Sequence, residues 1–210
     1  MTPQSVLQRG LQDLALALPA GASEKLLAYL ELLAKWNKTY NLTSIRDPRQ
    51  AVSVHLLDSL AVLRELPGGS GTLADVGSGG GLPGIPVAIA EPSRSVTLND
   101  ANEKKVAFLR QAVIELGLAN ASVHAGRAED WRPAERFAIV ISRGFASLAD
   151  FLSICRHLVA PGGVMAAMKG AYPREELAAI PSGCDCRDVR RLRVPLLDAE
   201  RHLVLCRMGG

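Results

Sequence analysis

The chain has 210 residues, 48% hydrophobic and 21% charged, with a formal net charge of +3 and an isoelectric point near 8.8. This composition excludes a disordered or fibrous chain and suffices for one sizeable core plus a modest extension. Cys155, Cys184, Cys186 and Cys206 form no disulfide-scaffold pattern, which points to a reducing cytoplasm, and no stretch approaches the ~18 apolar residues of a membrane span.

In chain order, the segment "LALALPAGA" (14–22) has only Arg9 as a positive charge before it, with Asp13 intervening, so it is not read as a leader. Leu7, Leu11, Leu14 and Leu18 are spaced four, three and four apart, which predicts an amphipathic helix. A second helix is expected from the cap Ser23 through Leu26, Leu27, Leu30 and Leu33 to Trp36. A third opens at Asp47-Pro48, a cap followed by a first-turn proline, and runs through Leu56, Leu57, Leu60 and Leu63. "PGGSG" (67–71) reads as a flexible joint, so residues 1–66 form a helical extension and 72–210 one compact unit.

Beyond the joint the rhythm changes. Strands are expected at 72–76, 95–99, 121–125, 137–142, 162–168, 186–194 and 201–207, with helices at 84–90, 102–116, 147–158 and 173–179. This alternation predicts an α/β fold, a mostly parallel sheet with helices on both faces. "PLLDAE" is too short for a crossover helix, so the sheet should end in an antiparallel pair.

The glycines of "DVGSGGGLPG" (75–84) sit where a strand hands over to a helix, so backbone amides face a ligand there. Gly79-x-Gly81-x-x-Gly84 satisfies the dinucleotide fingerprint, with Asp100 at ribose-acid distance. Asp75, however, precedes the first glycine, and an anion there would face a pyrophosphate. S-adenosylmethionine has no phosphate; it carries an ammonium and a sulfonium, which an acid suits. In this reading Asp75, Gly77, Gly79 and Gly81 shape the cofactor turn. Asp100 accepts the ribose hydroxyls, and the Ala128-Glu129-Asp130 turn reaches the adenine edge. All fall at strand C-termini, where open parallel sheets bind ligands. Methyl transfer is the better reading, and no metal is expected: Cys184-x-Cys186 lacks two further ligands.

The acceptor faces "IVISRGFA" (139–146), which has neither the Asn/Asp-Pro-Pro-aromatic tetrad of amine methylation nor a cysteine nucleophile. Cys155 belongs to the following helix as a small hydrophobe. Arg143 and Lys169 without a general base suit an acceptor that is already nucleophilic, such as guanine N7. His55 and Asp58, with Ser59 beside them, are a catalytic pair or a polar seam between extension and sheet. Trp36 and Tyr40 either stack on a base or pack; Arg190, Arg191 and Arg193 either meet phosphates or solvate an edge.

The blocks "WNKTYNLTSIRDP" (36–48), "HLLDSL" (55–60), "DVGSGGGLPGIP" (75–86), "ISRGFASL" (141–148), "MKG" (168–170) and "VPLLDAERHLV" (194–204) together resemble the RsmG (GidB) family. That resemblance covers nearly the whole chain, in order. It implies a class I, Rossmann-like methyltransferase that uses S-adenosyl-L-methionine and modifies N7 of a guanine in the 530 loop of 16S rRNA, position 527 in the usual numbering. The implied partner is 16S rRNA or the small-subunit particle, with no membrane and a monomer as the working expectation. Carried over, Gly77, Leu82, Ala128, Glu129 and Arg143 contact the cofactor. Asn99 and Gly144 depart from the family's usual apolar residue and alanine without removing a functional group. A methyltransferase acting on another RNA or a small molecule, or a binding module that keeps the pocket, is the alternative.

Overall fold

The computed structural model describes residues 1–68 and 71–208. The expected joint at 67–71 therefore lies partly outside the described residues, at positions 69 and 70. Seven strands form one sheet: β1 (Leu73–Val76), β2 (Val96–Asp100), β3 (Ala121–Ala125), β4 (Phe137–Arg143), β5 (Val159–Lys169), β6 (Cys184–Arg191) and β7 (His202–Met208). Their order is β3-β2-β1-β4-β5-β7-β6. The first five run parallel, while β7 is antiparallel to both β5 and β6. The strands were legible because a sheet covered on both faces needs apolar residues of both parities. Leu73, Ile139, Ile141, Ala166 and Leu203 face one core and Ala74, Val140, Met165, Ala167 and Val204 the other.

The first face is covered by α1 (Pro3–Asp13), α2 (Ala22–Tyr40), α5 (Gly84–Ala90) and α6 (Glu103–Glu115), and by a composite helix that joins the same core. The composite helix begins as α3 (Pro48–Ala51), widens to a π-helix over Val52–Leu57, returns as α4 (Asp58–Leu60) and tightens to a 3-10 helix over Ala61–Arg64. The second face is covered by α7 (Leu148–Cys155), with α8 (Arg174–Ala178) near the far edge.

Three expectations need correction. The leucine stripe does not extend to Leu18, because α1 ends at Asp13 and Ala15 takes a left-handed φ of 49°. Ser23 is not the cap of α2: the helix starts one residue earlier, behind Gly21 in the left-handed region. Nothing in the cysteine spacing predicts a bridge, yet Cys186 and Cys206 are joined by a disulfide, their Cα atoms brought to 4.1 Å on the neighbouring antiparallel strands. Cys155 is buried as expected, and burial pushes its thiol up to about 12.

The extension shares its core with the sheet. Leu26, Leu30 and Leu33 of α2 bury into the cluster that holds Ile85 and Phe108. The Tyr29 hydroxyl of α2 donates to the Gly80 carbonyl inside the glycine turn. Burial pushes that phenol well above its ordinary range, so it stays a neutral donor. Tyr29→Phe keeps the packing but leaves a buried carbonyl unpaired, which should cost about 1–3 kcal/mol. Urea unfolding should show that loss at an unchanged m-value; an unaltered midpoint would mean the bond contributes nothing.

Candidate active site

The turn after β1 reverses tightly because two acids hold its amides. Asp75 Oδ2 accepts from the Gly84 amide at 2.9 Å, and Asp100 Oδ2 accepts from the Gly79 amide at 2.9 Å. Asp100 Oδ1 takes the Asn102 amide at 2.8 Å, which fixes the end of β2 as well. Gly84 must be glycine: an added Cβ would lie 2.3 Å from Leu98 and 2.7 Å from Asp75 Oδ2. Gly79 serves differently, with φ at +59° and only the Gly77 carbonyl oxygen nearby, 3.9 Å from where a Cβ would stand, so a ligand can approach its backbone. Gly77 lies at the exposed crest, whereas Gly81 and Leu82 are buried beneath the turn.

Asp75 is completely buried, and its Oδ1 has no hydrogen-bond partner. Burial is the main cause that raises the carboxyl to about 6; the Gly84 amide, Ser78 and Arg143 pull against it, while Asp100 pushes with it. An orphaned acceptor in an acid so placed fits a cationic group. The 126–130 turn closes the same side: Gly126 donates its amide to the Asp100 carbonyl, and Asn99 Nδ2 donates to the carbonyls of His124 and Gly126. The Asn99 departure thus ties the second strand to that turn. Ala128, Glu129 and Asp130 form a 3-10 turn there, with Ala128 buried and Glu129 paired with Arg127 at 3.1 Å.

A cavity of about 550 Å³ lies at the C-terminal ends of β4 and β5. Its lining includes Thr43, Asp58, Arg143, Phe145, Lys169 and Arg201. Arg143 Nη1 donates to the Val54 carbonyl at 2.9 Å and to Asp58 Oδ2 at 3.0 Å. Arg201 Nε donates to Asp58 Oδ1 at 2.9 Å. Lys169 Nζ reaches Glu176 Oε2 at 2.7 Å, and the same oxygen accepts from the Leu148 amide that starts α7. His55 Nε2 lies 2.9 Å from Thr43 Oγ1; burial and then the neighbouring Arg143 push its imidazole down to about 4. At neutral pH His55 is therefore uncharged.

Residues 22–204 match the model of one protein family, "GidB: rRNA small subunit methyltransferase G". This chain belongs to that family. A Laribacter hongkongensis protein named ribosomal RNA small subunit methyltransferase G is 51% identical over 204 residues, covering 97% of this chain and 98% of the relative. One of the same name from Burkholderia thailandensis is 52% identical over 209 residues, covering 97% and 90%. Among solved structures, the glycopeptide N-methyltransferase MtfA complexed with S-adenosyl-L-methionine superposes with a TM-score of 0.61 at 14% identity, over 74% of this chain and 88% of that one. TrmN from Thermus thermophilus does so with 0.56 at 21%, over 71% and 48%. These two likenesses show a shared fold.

Within this rRNA methyltransferase family fold, the sequence-expected residues separate into two neighbouring groups. Asp75, Gly77, Gly79, Asp100 and the 128–130 turn gather around the β1 and β2 ends, and Arg143 and Lys169 line the adjoining cavity. His55 and Asp58 do not pair with each other: one bonds Thr43 and the other two arginines. Trp36 is half-buried with its ring edge-on to Phe108, while Tyr40 stays exposed beside it. Arg190 is engaged by Asp188 and Glu65, and Arg191 approaches Glu200. Sequence reasoning missed Thr43, Glu176 and Arg201 as site residues. Thr43 and Arg201 lie inside two of the quoted blocks, which was the available signal. No group of three or more His, Cys, Asp or Glu is arranged for a metal ion among the described residues, and no helix is long and apolar enough to cross a membrane.

The raised Asp75 carboxyl has a consequence for stability. An unfolded chain ionises this group near 3.8, the folded one only near 6. As pH rises through that window the unfolded state gains and the native state does not, so the contribution of Asp75 to stability falls and then levels above about 6. Relative to Asp75→Asn, the wild type should lose on the order of 3 kcal/mol between pH 4 and 7. Melting curves of both proteins across that range test it; a constant gap would place Asp75 in a solvated environment.

Proposed function

We propose that this chain transfers the methyl group of S-adenosyl-L-methionine to N7 of a guanine in the 530 loop of 16S rRNA, position 527 in the usual numbering. Family membership supports a small-subunit rRNA substrate. The chemistry of the acceptor cavity supports the finer statement: among the described residues, no acid or imidazole lining it is suited to act as a general base near neutral pH. Asp58 is held by two arginines; His55 bonds Thr43 through Nε2, and its Nδ1, though unpartnered, is buried in surroundings that depress the basicity of the ring. Glu176, beside the cavity, is held by Lys169 and a backbone amide. An acceptor that must be deprotonated finds no base here, whereas guanine N7 offers a lone pair and needs only alignment.

When bound, S-adenosylmethionine supplies an electrophilic methyl group on a sulfonium. The orphaned Asp75 oxygen suits its ammonium, Asp100 its ribose, and the Ala128-Glu129 turn its adenine. Gly77 and Gly79 leave the backbone open to it, with Gly81 and Leu82 supporting from below. Arg143 and Lys169 hold the acceptor nucleotide by phosphate or by base O6. Arginine gripping O6 and N7 together would occupy the reacting lone pair, so that bidentate mode is excluded during transfer. The reading places the protein with small-subunit particles in the bacterial cytoplasm.

The test uses small-subunit particles from cells lacking the gene, incubated with the full chain and methyl-labelled cofactor. N7-methylguanine becomes a strand break after borohydride and aniline treatment, mapped by primer extension. A single new break at guanine 527 is expected. Label in another nucleotide, in ribosomal protein, or resistant to that cleavage would overturn the assignment.

A further inference from the structure

Asp58, expected as half of a catalytic pair or as part of a polar seam, lines the cavity with Arg143 and Arg201 and is the most deeply buried charge there, its side chain 2% exposed. One oxygen accepts from Arg143 and the other from Arg201, residues that enter from β4 and from the loop before β7. Two guanidiniums lining one cavity repel each other, and a single carboxylate between them offsets that repulsion at short range. The hydrogen bonds are one-sided. Arg143 uses only Nη1, on Asp58 and the Val54 carbonyl; Arg201 uses Nε on Asp58 and Nη1 on the Glu200 carbonyl. Arg143 Nε and Nη2 and Arg201 Nη2 therefore donate to nothing else among the described residues.

We propose that Asp58, contributed by the helical extension, is the positioning residue for both arginines of the acceptor cavity. It grips their inner edges so that the outer donors stay available to the acceptor nucleotide. The π-helical turn just before it makes this possible. Widening over Val52–Leu57 places the Val54 carbonyl within reach of Arg143, so extension and sheet share one grip on the guanidinium. Asp58 touches no substrate in this scheme and acts through Arg143 and Arg201. The proposal rests on the methyl-transfer reading of the cavity.

Two measurements on the full chain test it. In wild-type protein the Arg201 Nε–H should exchange with solvent at least about tenfold more slowly than that of Arg193, which is exposed and has no ion-pair partner among the described residues, because a buried carboxylate holds it. Equal exchange rates would overturn the grip without any variant having to fold. Second, single-turnover methylation of small-subunit particles is compared for Asp58→Asn, the paired Arg143→Ala and Arg201→Ala variant, and the variant carrying all three changes. Asp58→Asn keeps the shape but turns an amide donor toward a guanidinium. It should slow transfer about tenfold or more, with cofactor affinity held within about twofold and the triple variant no slower than the variant lacking both arginines. Losses that multiply, or a rate for Asp58→Asn within about twofold of wild type, would show that Asp58 does not act through the two arginines. If wild type methylates nothing, the methyl-transfer reading fails by itself and the exchange rates still decide the grip.

Discussion

At the reversal of strand order between β1 and β4 the connections leave toward opposite faces of the sheet, and a crevice opens that the chain must line with its own polar groups. The turn after β1 borders that crevice, and its geometry depends on two carboxylates. Asp75 holds the amide that begins α5, and Asp100 holds the amide of Gly79. One acid is paid for by its burial, which lifts its affinity for a proton; in return an unpartnered oxygen stands beneath the turn. A ligand with a positive charge relieves that position, and one with a pyrophosphate does not. The same constraint that makes the turn tight thus selects the class of cofactor.

The adjoining cavity follows an opposite charge logic. Three cations line it, and each is tied to an acid: Arg143 and Arg201 to Asp58, Lys169 to Glu176. Tethering, from far along the chain for the two arginines and from seven residues away for Lys169, fixes where the cations stand before any substrate arrives, which reduces the ordering cost at the moment of binding. The extension is consequently part of the site. Its α2 holds the glycine turn through Tyr29, and its composite helix holds the arginines through Asp58 and Val54.

How legible was this beforehand? The doubly covered strands were, because apolar residues of both parities recur in short runs; α5 and β3 fall on the expected residues 84–90 and 121–125. The glycine turn with its flanking acids was legible too, since Asp75 before the glycines is an electrostatic statement. What escaped depended on distance or on backbone detail. Asp58 meets Arg201 from 143 positions away, with no local signal. A π-helical widening leaves the leucine spacing of residues 56, 57 and 60 looking like an ordinary helix. Leu18 kept the leucine period only by coincidence, since Ala15 had already turned the chain out of the helix. The Cys186–Cys206 bridge needs the register of β6 on β7, which no spacing reveals.

The central claim is that the acid-held glycine turn and the arginine cavity are two halves of one site that meet at the ends of β1 and β4. A crystal structure of the chain with S-adenosylhomocysteine and an RNA hairpin carrying the 530-loop sequence tests this most directly. The ribose is expected on Asp100, the amino group beside Asp75, and a guanine in the cavity between Thr43 and Arg201 with its N7 toward the cofactor sulfur. A guanine bound elsewhere, for example along the arginines of β6 while the cavity holds no nucleotide, would contradict it.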